Sequence, residues 1–489
     1  MTEHFEVIVV GSGAGGGVVA GELASRGRSV LLIEAGGHHT AAEFERWESR
    51  AMAQLWWPMR FAFPRSGEGA PLPMVTGRCV GGTTTINTKV ALRASQPELD
   101  RWYEATGLVN ERGEPFGTGD LAPYYARVEH ALGVRERNDW DWRSCVQTAK
   151  RGFAALGIDL HPVHGYSDEN CMQCGSCLQG CPTNAGKSTL NTYIHREWMR
   201  GTLTLRAQTT VRRVVIEGGE ATGVELAGPD GEVEVVGADA VVVACGALGS
   251  PQLLARSGVE NDRVGRNLGF HPAHFVFGLF DEPQDAHMVA PITSHCLDHA
   301  TVDRGGFVIE AVTVQDPIGF TVALCDEDGP MWGQPLVDAA RDYRRWVGLL
   351  NMATDDNNGR VITDADGSAR YESDFSPVEL QRAADATALS RRVLEAAGAT
   401  RILWSSPAST HVQGTCPMGA DPSRSVVDAD GQCHGVARLY VGDSSLFPRT
   451  LSVNPSLTVM ALATRLADHL DANASGQLRG RRQPASAPA

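Results

Sequence analysis

The first apolar run of the chain is Val7-Ile8-Val9-Val10, and every residue in it is β-branched. It breaks at Gly11-Ser12-Gly13-Ala14-Gly15-Gly16, after which Val18, Val19 and Leu23 recur at helical spacing until Gly27. A second apolar run, Ser29-Val30-Leu31-Leu32-Ile33, ends in Glu34. This pattern predicts strand, tight turn, helix, strand. Residues 37–76 show no clear period and read as helix and loop. Residues 96–133 read as helices with loops, and a helix is expected from Lys187 to about Met199. Strands are expected at 203–205 and 211–216, and an antiparallel ribbon at 224–226 and 233–236 around the turn Pro229-Asp230-Gly231. The unbroken apolar run at 240–245 predicts a buried parallel strand, followed by a turn and helix over 247–254.

From about 273 to 405 the pattern changes. Alternating segments at 275–280 and 307–313 predict strands of a half-exposed sheet, and 337–343 and 377–397 predict helices. Residues 439–443 then return to a strand ending in an acid, and 457–470 form an apolar-faced helix. The Ala, Gly, Arg, Pro and Ser of 472–489 cannot build a core and are expected to be a disordered tail. The expected division is therefore 1–272, then a second domain at 273–405 that builds a substrate cavity, a return to the first domain at 406–471, and the tail.

The opening unit carries chemistry. Gly11, Gly13 and Gly16 have the G-x-G-x-x-G spacing, and Glu34 follows 18 positions after Gly16. That combination predicts a dinucleotide site: a tight turn, close approach of the backbone to a pyrophosphate, a helix N-terminus facing the phosphates, and an acid for ribose hydroxyls. The motif does not choose between FAD and NAD. Gly81-Gly82 with Thr83, Thr84 and Asn87 reads either as a second ligand loop or as an ordinary turn.

Composition narrows the class. With 489 residues, 42% hydrophobic and 21% charged, the chain has room for two or three domains' worth of core. A net charge of −15 argues against a nucleic-acid partner. No run of 18 apolar residues occurs, so no membrane span is expected. No secretory or lipidation signal is evident, which leads to the expectation of a cytoplasmic, reducing compartment. Of eleven cysteines, four cluster between Cys171 and Cys181, a spacing that points to metal in such a compartment.

Taken together, the motifs resemble those of the glucose–methanol–choline (GMC) flavoprotein oxidoreductases over nearly the whole chain. The resemblance rests on residues 9–16 with Glu34-Ala35-Gly36, residues 77–87, and residues 246–254 with Ser257-Gly258. It continues through residues 264–268 with His271-Pro272, His411-Val412-Gln413-Gly414-Thr415 with Pro417-Met418-Gly419, residues 441–445, and Asn454-Pro455. It implies an α/β fold with a discontinuous Rossmann-type FAD-binding domain and an α+β substrate domain on a mixed or antiparallel sheet. It also implies FAD rather than NAD, held by Gly11, Gly13, Ala14, Gly16, Glu34, Ala35, Gly82, Thr83, Asn87, Val211, Asp443, Ser444, Asn454 and Pro455. The reaction implied is oxidation of an alcohol by hydride transfer to flavin. His411 matches the family's active-site histidine and Asn454 its partner; a histidine near neutral pKa suits removal of the hydroxyl proton, and a second polar group can hold the developing alkoxide. His271 and His434 read as structural. No histidine stands in 81–87, so FAD is expected to be noncovalent, and Cys79 is not expected to attach it.

The chain departs from most of the family at Cys171-x2-Cys174-x2-Cys177-x3-Cys181-Pro182. This is the bacterial ferredoxin spacing. An iron–sulfur cluster, of the 4Fe-4S kind, competes with a structural zinc site and with free or disulfide-bonded cysteines. The fourth cluster ligand is Cys181 or a distant residue such as Cys145, Cys296 or Cys416. A chain of this length with this run is similar to the flavoprotein dehydrogenases of aminoglycoside pathways, which oxidise a sugar hydroxymethyl group. That implies a cationic, paromamine-like sugar oxidised at its 6′-hydroxymethyl group, with Asp326-Glu327-Asp328 and Asp355-Asp356 as candidate contacts. Sterols, long-chain alcohols and neutral sugars stand as alternatives, and so does a flavin and iron–sulfur electron carrier. The acceptor is left as oxygen, a carrier protein or a dye, with the cluster as an electron outlet.

Overall fold

The computed structural model describes residues 3–137, 143–311 and 317–481. The opening apolar runs are strands β1 (His4–Val10) and β2 (Val30–Ile33), joined by helix α1 (Gly16–Ser25). The two strands are parallel, with Val7 opposite Val30 and Val10 opposite Ile33. A parallel pair needs a crossover, and α1 is that crossover. β3 (Leu203–Arg206) extends the parallel array beyond β2. β4 (Thr210–Glu217), β5 (Glu220–Ala227) and β6 (Val233–Val243) complete the order β3-β2-β1-β6-β5-β4.

The expected ribbon and the expected buried strand are one element. β6 runs antiparallel to β5 from Val233 to Gly237. It then lies parallel to β1, with Gly237 opposite His4 and Val243 opposite Val10. Its apolar half, Val241-Val242-Val243, is fully buried, as a strand covered on both faces must be. Helix α2 (Gly246–Arg256) follows at once.

The second sheet has eight strands, all antiparallel. Its centre is β7 (Ala273–Leu279), β8 (Ser294–Cys296), β9 (Phe307–Ala311), β10 (Trp346–Ala353) and β11 (Arg401–Ser405), in the order β11-β7-β10-β9-β8. Residues 312 and 313, expected at the end of β9, lie outside the described residues. Helix α3 (Pro377–Ala396) packs on β7, β9 and β10. Its start is fixed by a reciprocal cap: Ser376 Oγ accepts from Glu379 N at 3.2 Å, and the Glu379 carboxylate accepts from Ser376 N at 2.5 Å. Phe277, Ile309, Trp346, Leu349 and Val393 are buried between helix and sheet.

A third sheet of five strands joins Arg60–Phe63 and Leu72–Met74 to Arg266–Leu268, Gly359–Thr363 and Ala369–Glu372. The first two fall in the stretch read as helix and loop. Phe61 and Phe63 are 37% and 56% exposed, so the apolar side of that strand faces outward and its alternation conceals the core.

The chain returns to the first sheet through β12 (Leu439–Val441), parallel to β6 along the edge that β5 leaves free. Helix α4 (Ser456–Arg481) follows. Residues 472–481, expected to be disordered, are thus helical. Among the described residues no helix is long and apolar enough to cross a membrane.

Candidate active site

Three loops meet at the ends of β1, β6 and β12. A Cβ on Gly15 would lie 1.6 Å from the Gly442 carbonyl oxygen, and one on Gly82 would lie 2.8 Å from Gly13 Cα. Only residues without side chains allow this approach. Gly13 is different, because nothing lies within 4 Å of the place its Cβ would take. Open space at this point, beside the N–H groups at the start of α1, is what a diphosphate needs. Gly11 and Gly16 form the turn beneath it, and Ala14 packs on the core.

Glu34 closes β2 and is buried. Its carboxylate accepts from Ser12 N at 3.1 Å, Ser12 Oγ at 2.7 Å and Gly36 N at 2.8 Å. Burial pushes its pKa up against these three donors. Ala35 follows it. Gln208 N donates to Gly36 O at 2.9 Å and Thr209 N to Glu34 O at 3.0 Å, which brings Val211 to this end of the sheet. In the second loop Thr83 Oγ1 accepts from Gly77 N at 3.0 Å, and Asn87 Nδ2 donates to the Tyr166 hydroxyl at 2.5 Å. Asp443 accepts from Gly246 N at 2.8 Å, Ser250 Oγ at 2.5 Å and Ser445 N at 2.8 Å, tying β12 to α2. Ser444 Oγ donates to Val412 O at 2.8 Å, and the Pro455 carbonyl accepts from Val459 N at 3.0 Å at the head of α4.

His411 lies beside His271, with 2.9 Å between their Nδ1 atoms. His271 Nε2 bonds the Leu451 carbonyl. A carbonyl only accepts, so His271 carries its proton on Nε2. Burial pushes the His271 pKa down to about 4, so the ring is neutral and its Nδ1 is an acceptor. His411 must then donate from Nδ1, which leaves its Nε2 as a bare acceptor. Burial and the neighbouring His271 hold the His411 pKa well below 6.5. The pair therefore presents an unprotonated ring nitrogen at neutral pH. His271, read from sequence as structural, sets this tautomer; its place in the His271-Pro272 pair of a shared motif was the available signal. His434 bonds Ser425 at 2.9 Å, away from this pair. The turn holding Asn454 is bound to the same network, because Leu451 N donates to Gln413 Oε1 at 3.3 Å. Asn454 is 4% exposed and its Oδ1 has no hydrogen-bond partner.

Cys171, Cys174, Cys177 and Cys181 line one small cavity with Arg137, Gln173 and Gly186. All four are free thiols. Cys145, Cys296 and Cys416 are not in its wall; the first two are buried in the core of the second sheet, the third in that of the first. Among the described residues no three His, Cys, Asp or Glu side chains gather closely enough to hold a metal ion. The ligand set expected at 171–181 is thus not drawn around a single ion. Cys181 Sγ accepts from Gly186 N at 3.2 Å. Burial pushes Cys177 up to about 12, with Lys89 and Arg137 opposing. Lys89 is itself fully buried and donates to the carbonyls of Thr84 (2.5 Å) and Thr85 (3.3 Å). Burial pushes it down to about 8, and Cys177 and Cys181 are the leading influences that favour its charge.

The acid pairs expected to contact a cationic substrate do other things. Asp355 accepts from Phe270 N at 2.7 Å, Asn357 N at 3.1 Å and Thr450 Oγ1 at 3.0 Å. Asp356 pairs with Arg382 at 3.0 Å. Glu327 and Asp328 are exposed in a turn at the sheet edge.

Residues 5–273 match the N-terminal part of the GMC oxidoreductase family and residues 341–463 its C-terminal part. The chain belongs to the GMC oxidoreductases. An uncharacterized GMC-type oxidoreductase of Mycobacterium tuberculosis is 31% identical, over 96% of this chain and 76% of the relative. Paromamine 6′-oxidase of Streptomyces fradiae is 28% identical, over 95% of this chain and 90% of the relative. A long-chain-alcohol oxidase of Arabidopsis thaliana is 26% identical, over 94% of this chain and 67% of the relative. Among solved structures, pyridoxine 4-oxidase superposes with a TM-score of 0.72 at 20% identity, over 95% of this chain and 99% of that one, which shows the shared fold. The protein is an FAD-dependent oxidoreductase acting on CH–OH groups.

The residues present fit FAD: the space beside Gly13 is open enough for a diphosphate, and Glu34 directly follows β2, where a βαβ unit of this kind meets a ribose. Gly13→Leu adds a side chain whose Cβ meets no protein atom within 4 Å and which enters that space. It is expected to fold and to purify without flavin absorbance; stoichiometric FAD in the folded variant would place the diphosphate elsewhere.

Proposed function

We propose that the protein oxidises the 6′-hydroxymethyl group of an amine-bearing, paromamine-like sugar to the aldehyde. The observation that carries the reaction is the His271–His411 pair, which leaves His411 Nε2 free to accept a proton. Bound FAD supplies the hydride acceptor. The chain supplies the rest: His411 takes the hydroxyl proton, His271 holds its tautomer, and Asn454 donates to the developing alkoxide. The remaining residues named for FAD hold it from the loops already described. The substrate class is supported by the 28% likeness to a paromamine 6′-oxidase across nearly both chains. The similar identity to long-chain-alcohol oxidases keeps a long-chain alcohol as the second reading.

Cys171, Cys174, Cys177 and Cys181 are the proposed ligands of an iron–sulfur cluster. In support, the four cysteines have the spacing of the bacterial ferredoxin run, and all four are free thiols lining one cavity. Lys89 and Arg137 would offset the negative charge of four thiolates. Such a cluster supplies a one-electron outlet, which favours a dehydrogenase over an oxidase. It would require a reducing compartment such as the cytoplasm.

Paromamine is expected to bleach the flavin in anaerobic stopped-flow mixing, and reduction by 1-dodecanol but not by paromamine would move the reading to long-chain alcohols. His411→Ala should slow flavin reduction by ~10²-fold or more. The base is active when unprotonated, and its pKa is depressed. The wild-type rate should therefore stay level as pH falls to 6.5 and drop only below that value; a loss of rate centred above 6.5 would contradict the assignment. Anaerobic purification should yield a brown protein with iron and sulfide, and Cys174→Ser should lose the colour. Zinc in place of iron would reject the cluster.

A further inference from the structure

β9 alternates its side chains between two surroundings. Phe307, Ile309 and Ala311 enter the core beneath α3, so Val308 and Glu310 point to the opposite face. On that face Glu310 is directly opposite His295 of β8 and Leu350 of β10. Leu350 packs against a cluster that contains Val90, Leu92 and Val453, the residue before Asn454. Glu310 thus looks away from the helix and onto the reaction centre.

Its surroundings are unusual for an acid. Glu310 is 1% exposed, and neither carboxylate oxygen has a close donor; the Asn454 side chain is the one hydrogen-bonding group set toward it. Burial pushes its pKa up to about 8, and Asn454 is the one neighbour that favours its ionised form. His295 Nδ1 and Asn454 Oδ1 also lack partners. Burial, with His161 and His164 adding to it, pushes His295 down to about 4, so it is a neutral group and brings no charge to Glu310. A buried carboxylate without a cation is costly, which is why burial favours the protonated acid in the empty site; the ionised form is recovered when a cation with several donors arrives. A hydroxyl would bring one hydrogen bond and no charge. An ammonium brings three donors and the compensating charge.

We propose that Glu310 is the specificity-determining residue of the substrate site and holds an ammonium group of the alcohol substrate beside Asn454. This rests on His411 and Asn454 being the reaction centre, and it assigns the amine recognition that the other acids, engaged elsewhere, do not provide. No group is oxidised or transferred at Glu310; its part is a charge-assisted hydrogen bond that orients the substrate.

The test uses the FAD-loaded full chain and Glu310→Gln, with Glu310→Leu as a second variant. Flavin difference spectra are titrated with cyclohexylammonium chloride and with cyclohexanol. The wild type should bind the ammonium about tenfold or more tightly than the alcohol, and both variants should lose that preference. Equal ammonium affinity in wild type and variants overturns the proposal. With paromamine, Glu310→Gln should raise KM about tenfold or more and leave the limiting rate of flavin reduction within a few-fold. A fall in limiting rate of ~10²-fold for paromamine and a neutral alcohol alike would make Glu310 an acid–base group and reject the assignment. Both variants should melt close to or above the wild-type temperature, since they remove a buried acid that has no close donor; strong destabilisation of both would make its role structural and also reject it. If paromamine fails to reduce the wild-type flavin while ammonium preference still depends on Glu310, the substrate named above is wrong and this inference stands.

Discussion

The arrangement depends on backbone meeting backbone where no side chain intervenes. The β1–α1 turn sits on the Gly442 carbonyl, and the Gly81-Gly82 loop sits on Gly13, at distances that any Cβ would forbid. Segments separated by more than four hundred residues are fixed to one another at this point. Asp443 then extends the junction to α2 through Gly246 and Ser250. The loops proposed to hold FAD are set by this contact, which brings the ends of β1, β6 and β12 and the Gly81-Gly82 loop together.

Around that junction the acids divide into two kinds. Glu34, Asp355 and Asp443 are buried and each accepts three hydrogen bonds from the protein. Their oxygens hold loops together, each accepting from donors the chain itself supplies. Glu310 is buried to the same extent with no close donor on either oxygen and only the Asn454 side chain set toward it. The difference separates these acids from the one proposed to hold a substrate ammonium. It also explains why acid clusters in the linear sequence were poor guides to a cationic ligand: Asp355 and Asp356 bind the chain itself, and Glu327 and Asp328 face solvent.

The βαβ start, the buried half of β6, α3 and the return of the chain at β12 were legible in the sequence because each has an unbroken run or a regular period with glycine or a cap at its edge. The hairpin at 60–74 was not, because its exposed strand turns phenylalanines outward and because its partners come from residues 359–372. The His411 and Asn454 positions were legible only through motif resemblance. For His271 the shared His271-Pro272 pair was the one signal, and its pairing was hidden because it depends on a carbonyl 180 positions away. Glu310 left a faint trace: an acid at an alternate position of the apolar run Phe307-Val308-Ile309-Glu310-Ala311 marks a strand face that is buried without being core.

The carbonyl behind His271 has one more consequence, which concerns traffic. A carbonyl oxygen receives a hydrogen bond and has no proton to hand on. The two rings therefore form a blind alley: a proton arriving at His411 Nε2 meets His271, already protonated on its far nitrogen, and beyond it the main chain. The only exit is the entrance, and the substrate occupies the entrance. With His411 as the proposed base, release of its proton is then tied to release of the product.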